Sequence, residues 1–521
     1  MRKREKNWII KVRWVSLVFV VVIVCTTLAG FFGQYLNNKR LEAEINKINN
    51  GISGGYASTL PVEKPFKQLS DDQFEINNEN QTISFSEDIQ EGTFCVTQNP
   101  DGPDASDVWQ PIVKDSVIQL QNVKDDDLTK VRVYYLATIA KSMTNYSDGV
   151  NVYTISTAAE LTAFATRVNA GNTFSGKTVY LMANISLPSN FTPIGTSSYP
   201  FSGTFNGNGY IIKDVNIDRS TTDNVGLFGV ANGATIKNVI LQGTAIKGAS
   251  GTGGIVGSLL GNGTIENCTN EVAISGTTKV GGIVGIMAGT VKYCQNKAEV
   301  ASTSSHHVGG IVGLSQGNIT IFNCKNEAKI SCEGSAVGGI IGQGDEGVVT
   351  ITNCTNSGTI EGKSGGIGGI FGGIADSQTT TGHKITYCKN TGAITGSNNM
   401  GGIVGVIHSV QIDRCINTAT LTSNYSYVGG IVGNARDIVV SNSLNQGYID
   451  VRGGCVGGIV GYGTGTSEIK SCGNTGSIYA GGSSRLSNYE PNYQGYGGVI
   501  GWADKPFQVT ACYNRGNVRR I

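Results

Sequence analysis

Residues 253–276 read GGIVGSLLGNGTIENCTNEVAISG, and the same cadence returns at 281–302, where GGIVGIMAGTVKYCQNKAEVAS begins 28 residues later. GGIVG or a close variant recurs at 309–313, 338–342 (GGIIG), 368–372 (GGIFG), 401–405, 429–433, 457–461 and 497–501 (GGVIG). A divergent first copy, VGLFG, stands at 225–229. The ten copies are spaced 28 to 33 residues apart until the last interval, which is 40. Each unit holds short β-branched runs separated by Gly, Asn and Thr, too short for helices. One unit cannot bury its own apolar face, so the pattern predicts an all-β solenoid, a parallel β-helix of about ten 28-residue coils over 201–521. At about 4.8 Å per coil, the stack would run about 50 Å.

Stacking predicts ladders at fixed repeat positions. One position reads Cys268, Cys294, Cys324, Cys354, Cys388, Cys415, Ser443, Cys472 and Cys512, with Val239 in the first copy. Two residues later stand Asn270, Asn296, Asn326, Asn356, Asn390, Asn417, Asn445, Asn474 and Asn514. The asparagines are expected to bond along the stack as amide ladders. For the cysteines, disulfides and metal ligation compete with a small apolar ladder. Val239 and Ser443 favour the last, and the absence of any CxxC pair weakens the metal reading. The glycines suit such coils in two ways: φ > 0 at corners, and close backbone approach.

Composition agrees with this architecture. Of 521 residues 74 are glycine and only 10 proline, which excludes collagen and proline-rich linkers, and four histidines leave little for metal or triad chemistry. The net charge of +1 is unevenly spread: residues 1–50 carry nine Lys/Arg against three Asp/Glu, and 51–150 carry seven against sixteen. No basic block beyond the N-terminus could track a phosphate backbone, so nucleic acid is not an expected partner.

Working outward to the N-terminus, basic residues in 1–13 precede the uncharged run WVSLVFVVVIVCTTLAGFF at 14–32. Nineteen residues span about 28 Å as a helix, enough to cross a membrane with the basic side inside. A transmembrane signal anchor is expected, with the rest of the chain extracellular. The alternative is secretion after cleavage near Thr27-Leu28-Ala29. Residues 33–61 read as a juxtamembrane helix and linker, and 62–148 as a small acidic β-sandwich-like domain. Residues 151–200 read as a solenoid cap, with Thr157-Ala158-Ala159-Glu160 as a capping box before Leu161, Phe164, Ala165 and Val168.

The repeats, together with ELTAFATRVN (160–169), TPIG (192–195), FSGTFNGNGY (201–210) and GLFG (226–229), resemble the GLUG-motif proteins of bacterial cell surfaces. The resemblance covers residues 151–521 and implies a right-handed parallel β-helix in an extracellular protein. Similar repeats occur in adhesin-like proteins and in non-catalytic parts of some immunoglobulin A proteases. Those proteases carry HExxH, and no His-Glu pair exists in this chain, so protease activity is not carried over.

The functional expectation is a membrane-anchored, non-catalytic adhesin or glycan- or protein-binding rod, with no cofactor and no metal. The candidate ligand site is the long last interval, with Arg485, Tyr489, Tyr493, Tyr496 and Trp502, whose aromatic faces suit sugar stacking or a protein partner. The same aromatics would also suit a cap on the last coil. A structural or assembly role is the alternative. A polysaccharide lyase or hydrolase would need paired acids, for which Asp345, Glu346, Asp376 and Asp413 are the candidates.

Overall fold

A computed structural model describes residues 149–520 except 304–305, 375–379, 482–494 and 506, together with shorter stretches between 64 and 147. The expected span at 14–32 and the segment 33–61 lie outside the described residues. Among the described residues, no helix is long and apolar enough to cross a membrane.

The repeat region is a parallel β-solenoid of about 11 turns. From Ser250 onward the coils add in-register strands to three parallel sheets, each held by buried apolar ladders. The first runs Ile236, Ile265, Val291, Ile321, Ile351, Ile385, Ile412, Val440 and Ile469. The second runs Ile246, Ile274, Val300, Ile330, Ile360, Ile394, Leu421, Ile449 and Ile478. The third takes one residue from each GGIVG corner: Val280, Val308, Val337, Ile367, Met400, Val428 and Val456. All are buried. Each buried aliphatic side chain of these ladders contributes about 1.5–3 kcal/mol to its coil.

The stack is one turn longer than the count of GGIVG copies, because rungs form without the motif. Ile194 pairs with Phe228 one coil before the first GLFG. Within 151–200, Val152–Ile155, Thr178–Leu181 and Ile185–Ser186 already lie in the parallel sheets, so this segment supplies strands as well as a helix.

That helix, α1 (Ala158–Asn169), has the expected capping box between Thr157 and Glu160. Its buried Phe164 meets Phe174, Phe201 and Phe205 at ring distances of 4.9, 5.6 and 6.0 Å, an aromatic plug in the first coils. The acidic region before it forms two antiparallel sheets. One has four strands (Lys67–Gln68, Arg132–Leu136, Gly92–Thr97, Trp109–Ile112); the other has three (Phe74–Asn77, Thr82–Phe85, Ile118–Gln119). Met182 of the solenoid packs into a small core with Cys95, Trp109 and Leu136, joining the two parts through apolar contact.

The glycines serve mainly one of the two expected purposes. None of the GGIVG glycines has positive φ. A Cβ on Gly282 would lie 2.2 Å from the carbonyl oxygen of Gly310 and 2.4 Å from Cγ of Asn296, so packing excludes a side chain. Left-handed corners are mostly held by other residues. The corner before the cysteine ladder is Asn238, Asn267, Tyr293, Asn323, Asn353, Tyr387, Arg414, Asn442, Ser471 and Ala511. The corner before the third sheet includes Asn224, Lys279, His307, Ala336, Asn399, Tyr427 and Cys455, with glycine at 251 and 366. Asparagine tolerates this region best among non-glycine residues.

Candidate functional site

The polar ladders lie inside the rod. From Asn270 to Asn474 every asparagine is fully buried, and each Nδ2 donates to Oδ1 of the next rung at 2.7–3.0 Å. The second Nδ2 proton goes to a carbonyl two residues on, as from Asn326 to Ala328 at 2.9 Å. The amides are thus satisfied along the stack and offer nothing to a ligand.

The cysteine ladder is equally enclosed. Cys268 through Cys472 are buried and free, and Cys512 is half-buried in the last coil. Each thiol donates within its own corner, as Cys294 does to the Lys292 carbonyl at 3.3 Å. Burial pushes the thiols of Cys294, Cys354, Cys415 and Cys472 well up. Off the ladder, burial raises Cys332 and Cys455 to about 11. Hydrogen bonds from neighbouring rungs act the other way on Cys324 and Cys388, and draw the half-buried Cys512 down to about 7; the raised, enclosed thiols are poor nucleophiles and poor metal ligands. Among the described residues no group of three or more His, Cys, Asp or Glu could hold a metal ion.

The exterior is where recognition chemistry can occur. Of the candidate ligand residues, Arg485, Tyr489 and Tyr493 lie outside the described residues. Tyr496 and Trp502 are described, and the fold separates their roles. Tyr496 continues the third ladder after Val456 and packs half-buried against the apolar core. Trp502 stands on the strand Ile500–Ala503, in register with Tyr462 one coil earlier. Its Nε1–H donates to Asp504 Oδ1 at 2.7 Å, and the Tyr462 hydroxyl donates to the other oxygen of the same carboxylate. Tyr427, from a corner of the preceding coil, lies 4.8 Å from the Tyr462 ring. Three aromatic rings and an exposed acid from three successive coils therefore form one patch, with Asp504 fixing two of the rings.

Tyr427, Tyr462 and Asp504 were not singled out by the sequence, because 35 residues separate 427 from 462 and 40 separate 462 from 502. The signal that finds them is the repeat itself. Tyr462 and Trp502 each directly follow the last glycine of a GGIVG-type copy, a position that faces outward.

The acids weighed for catalysis are dispersed. Asp413 is engaged by Arg414 Nη1, Ser441 Oγ and Asn442 Nδ2, each at 2.7 Å. Asp345 and Glu346 share the strand Ile341–Glu346, and Asp376 lies outside the described residues. Arg414 also donates to the Tyr387 hydroxyl at 2.9 Å, so this network braces a corner.

Comparison with known proteins agrees with the repeat reading. The model of the GLUG motif matches residues 248–275 and 304–331. Halomucin of Haloquadratum walsbyi is 49% identical over 59 residues, 11% of this chain and 1% of that protein. An Evansella cellulosilytica protein that carries the name Gly-rich membrane protein is 33% identical over 132 residues, 23% of this chain and 15% of its own length. The chain thus spans a small part of either relative. Among solved structures, a Bacteroides ovatus protein assigned as an immunoglobulin A1 protease aligns at 18% identity and a TM-score of 0.30, covering 70% of this chain and 85% of that one. The A-module of the Azotobacter vinelandii mannuronan C-5 epimerase AlgE6 aligns at 11% identity and a TM-score of 0.27, covering 69% and 95%.

Proposed function

We propose that this GLUG-motif repeat protein is a non-catalytic cell-surface rod, anchored by residues 14–32, that binds a glycan or a surface protein through its C-terminal coils. The observation that carries the reading is the patch of Tyr427, Tyr462, Trp502 and Asp504, in which one carboxylate orients two aromatic rings on the outside of the stack. Oriented rings beside an acceptor suit a sugar, whose C–H face packs on the ring while a hydroxyl reaches the acid. The engagement of Asp413 by three donors supports a non-catalytic role for the neighbouring coils. The names of the two relatives support placement at a cell surface.

The test is a glycan array and a cell-binding assay with the full chain in detergent, against Trp502→Ala and Asp504→Asn. Trp502→Ala is expected to lower affinity at least tenfold, and Asp504→Asn by less because the amide keeps one acceptor. Binding that both variants leave unchanged would remove the patch from the reading.

A further inference from the structure

One outward row of the first sheet is threonine on seven successive rungs: Thr178, Thr204, Thr235, Thr264, Thr290, Thr320 and Thr350. At about 4.8 Å per rung the row is about 29 Å long. It ends abruptly, since the next in-register residues are Lys384, Gln411, Val439, Glu468 and Gln508. The preference of threonine for strands applies equally to both halves of the stack, so it does not account for a run confined to one.

The hydroxyls of this row differ from those of the threonines that follow the buried asparagines. Thr391, Thr418 and Thr475 return theirs to asparagine carbonyls of the preceding coil at 3.3–3.4 Å. Thr264, Thr290, Thr320 and Thr350 are half-buried or exposed, and no hydrogen bond among the described residues engages their hydroxyls. Beside the last three rungs lies a groove of about 350 Å³ lined by Asn262, Thr290, Asn318, Thr320, Val348 and Thr350. Asn318 Oδ1 accepts from the Val348 N–H at 2.8 Å, which leaves its amide nitrogen as a donor there. No charged side chain lines the groove. In the flanking row, Lys292 and Glu266 neutralise each other at 3.2 Å.

We propose that this threonine face is a second binding surface, for a linear neutral polysaccharide lying along the stack. Each threonine offers a hydroxyl that both donates and accepts, beside a methyl that packs on C–H groups, which matches the alternation of hydroxyl and C–H on a sugar chain. Weak identical contacts repeated at one spacing favour a ligand that itself repeats, because a single sugar engages one or two rungs while a polymer engages the row. The lack of charge in the row and groove selects against uronate polymers. The inference rests on the proposed reading of the rod as a binding protein but uses a different face.

The experiment is affinity electrophoresis of the full chain in detergent through gels containing hydroxyethyl cellulose, galactomannan or polygalacturonate. The variant is Thr290→Val, Thr320→Val and Thr350→Val together, which keeps β-branching and therefore the strands. Retardation by at least one neutral polymer is expected, with the triple variant weakening it at least tenfold. Loss with Trp502→Ala but not with the triple variant would assign neutral-polymer binding to the aromatic patch and overturn this inference alone. No retardation by either neutral polymer, stronger retardation by polygalacturonate, or a triple variant that binds as well as the parent would also overturn it. So would ice-crystal shaping that the triple variant abolishes in a chain that binds no polymer, since the face would then order water.

Discussion

At the scale of single residues, the rod depends on a contact that neither partner reveals alone. The second glycine of each GGIVG faces the buried asparagine of the same coil: Gly282 faces Asn296, Gly310 faces Asn326, and Gly402 faces Asn417. The glycine is small because the amide ladder occupies the space a Cβ would need. Gly282→Ala is therefore expected to cost about 3 kcal/mol, read from the denaturation midpoint of the full chain. Gly366 answers to a different rule. Its φ is +74°, and a Cβ there would meet no heavy atom nearer than 3.6 Å, while the equivalent corners hold Asn224 and Asn399. Gly366→Asn should change stability by less than about 0.5 kcal/mol, because the native conformation suits asparagine and the unfolded chain loses freedom.

At the scale of elements, the ladder binds each coil to its neighbours. Asn326→Ala removes the acceptor for Asn296 and strips the Ala328 carbonyl and Asn356 of their donor, all in a dry interior. Unsatisfied buried groups cost about 1–3 kcal/mol each, so a loss of about 3 kcal/mol is expected. Asn514→Ala, on the exposed last rung, should cost less than about 1 kcal/mol, and equal losses at both positions in thermal melts would refute the ladder's role. These elements were legible from the sequence because in-register stacking turns a repeat position directly into a column: the cysteine and asparagine columns and the α1 capping box could be read from spacing alone. A rung such as Ile194 was not legible as such, because an apolar residue can enter the ladder without its flanking glycines. The corners misled for a related reason. Their left-handed conformation is fixed by the coil and is met by Asn, Tyr, Arg or Ala, so glycine content does not mark them. The aromatic patch was half legible: Trp502 stood out by composition, while Tyr427 and Tyr462 join it only through the stacking of coils.

At the scale of the whole molecule, each coil contacts only its neighbours, so stability is close to a sum of coil and interface terms. Removing a whole period should leave the rest intact. Deletion of the 28 residues from Gly282 to Gly309 joins Gly281 to Gly310 and restores VGGIVG in register. The shortened chain is expected to keep the β-sheet circular dichroism of the parent and a melting temperature within about 2–4 °C of it, the most that roughly 1 kcal/mol shifts a large domain. Deleting half a period should lower the melting temperature by more than deleting a whole one, since the coils on either side of the cut would no longer meet in register.

The hydrogen bonds between coils run parallel to the axis of the stack, and this direction has a mechanical consequence. Tension between the first coil and a ligand held at the last would load all the coil interfaces in series, so the weakest would part first while the others stayed closed. Each released coil of 28 residues would pay out about 95 Å of chain at about 3.4 Å per residue. Such a rod would lengthen in discrete steps under load, a shock absorber whose stroke is set by the repeat length.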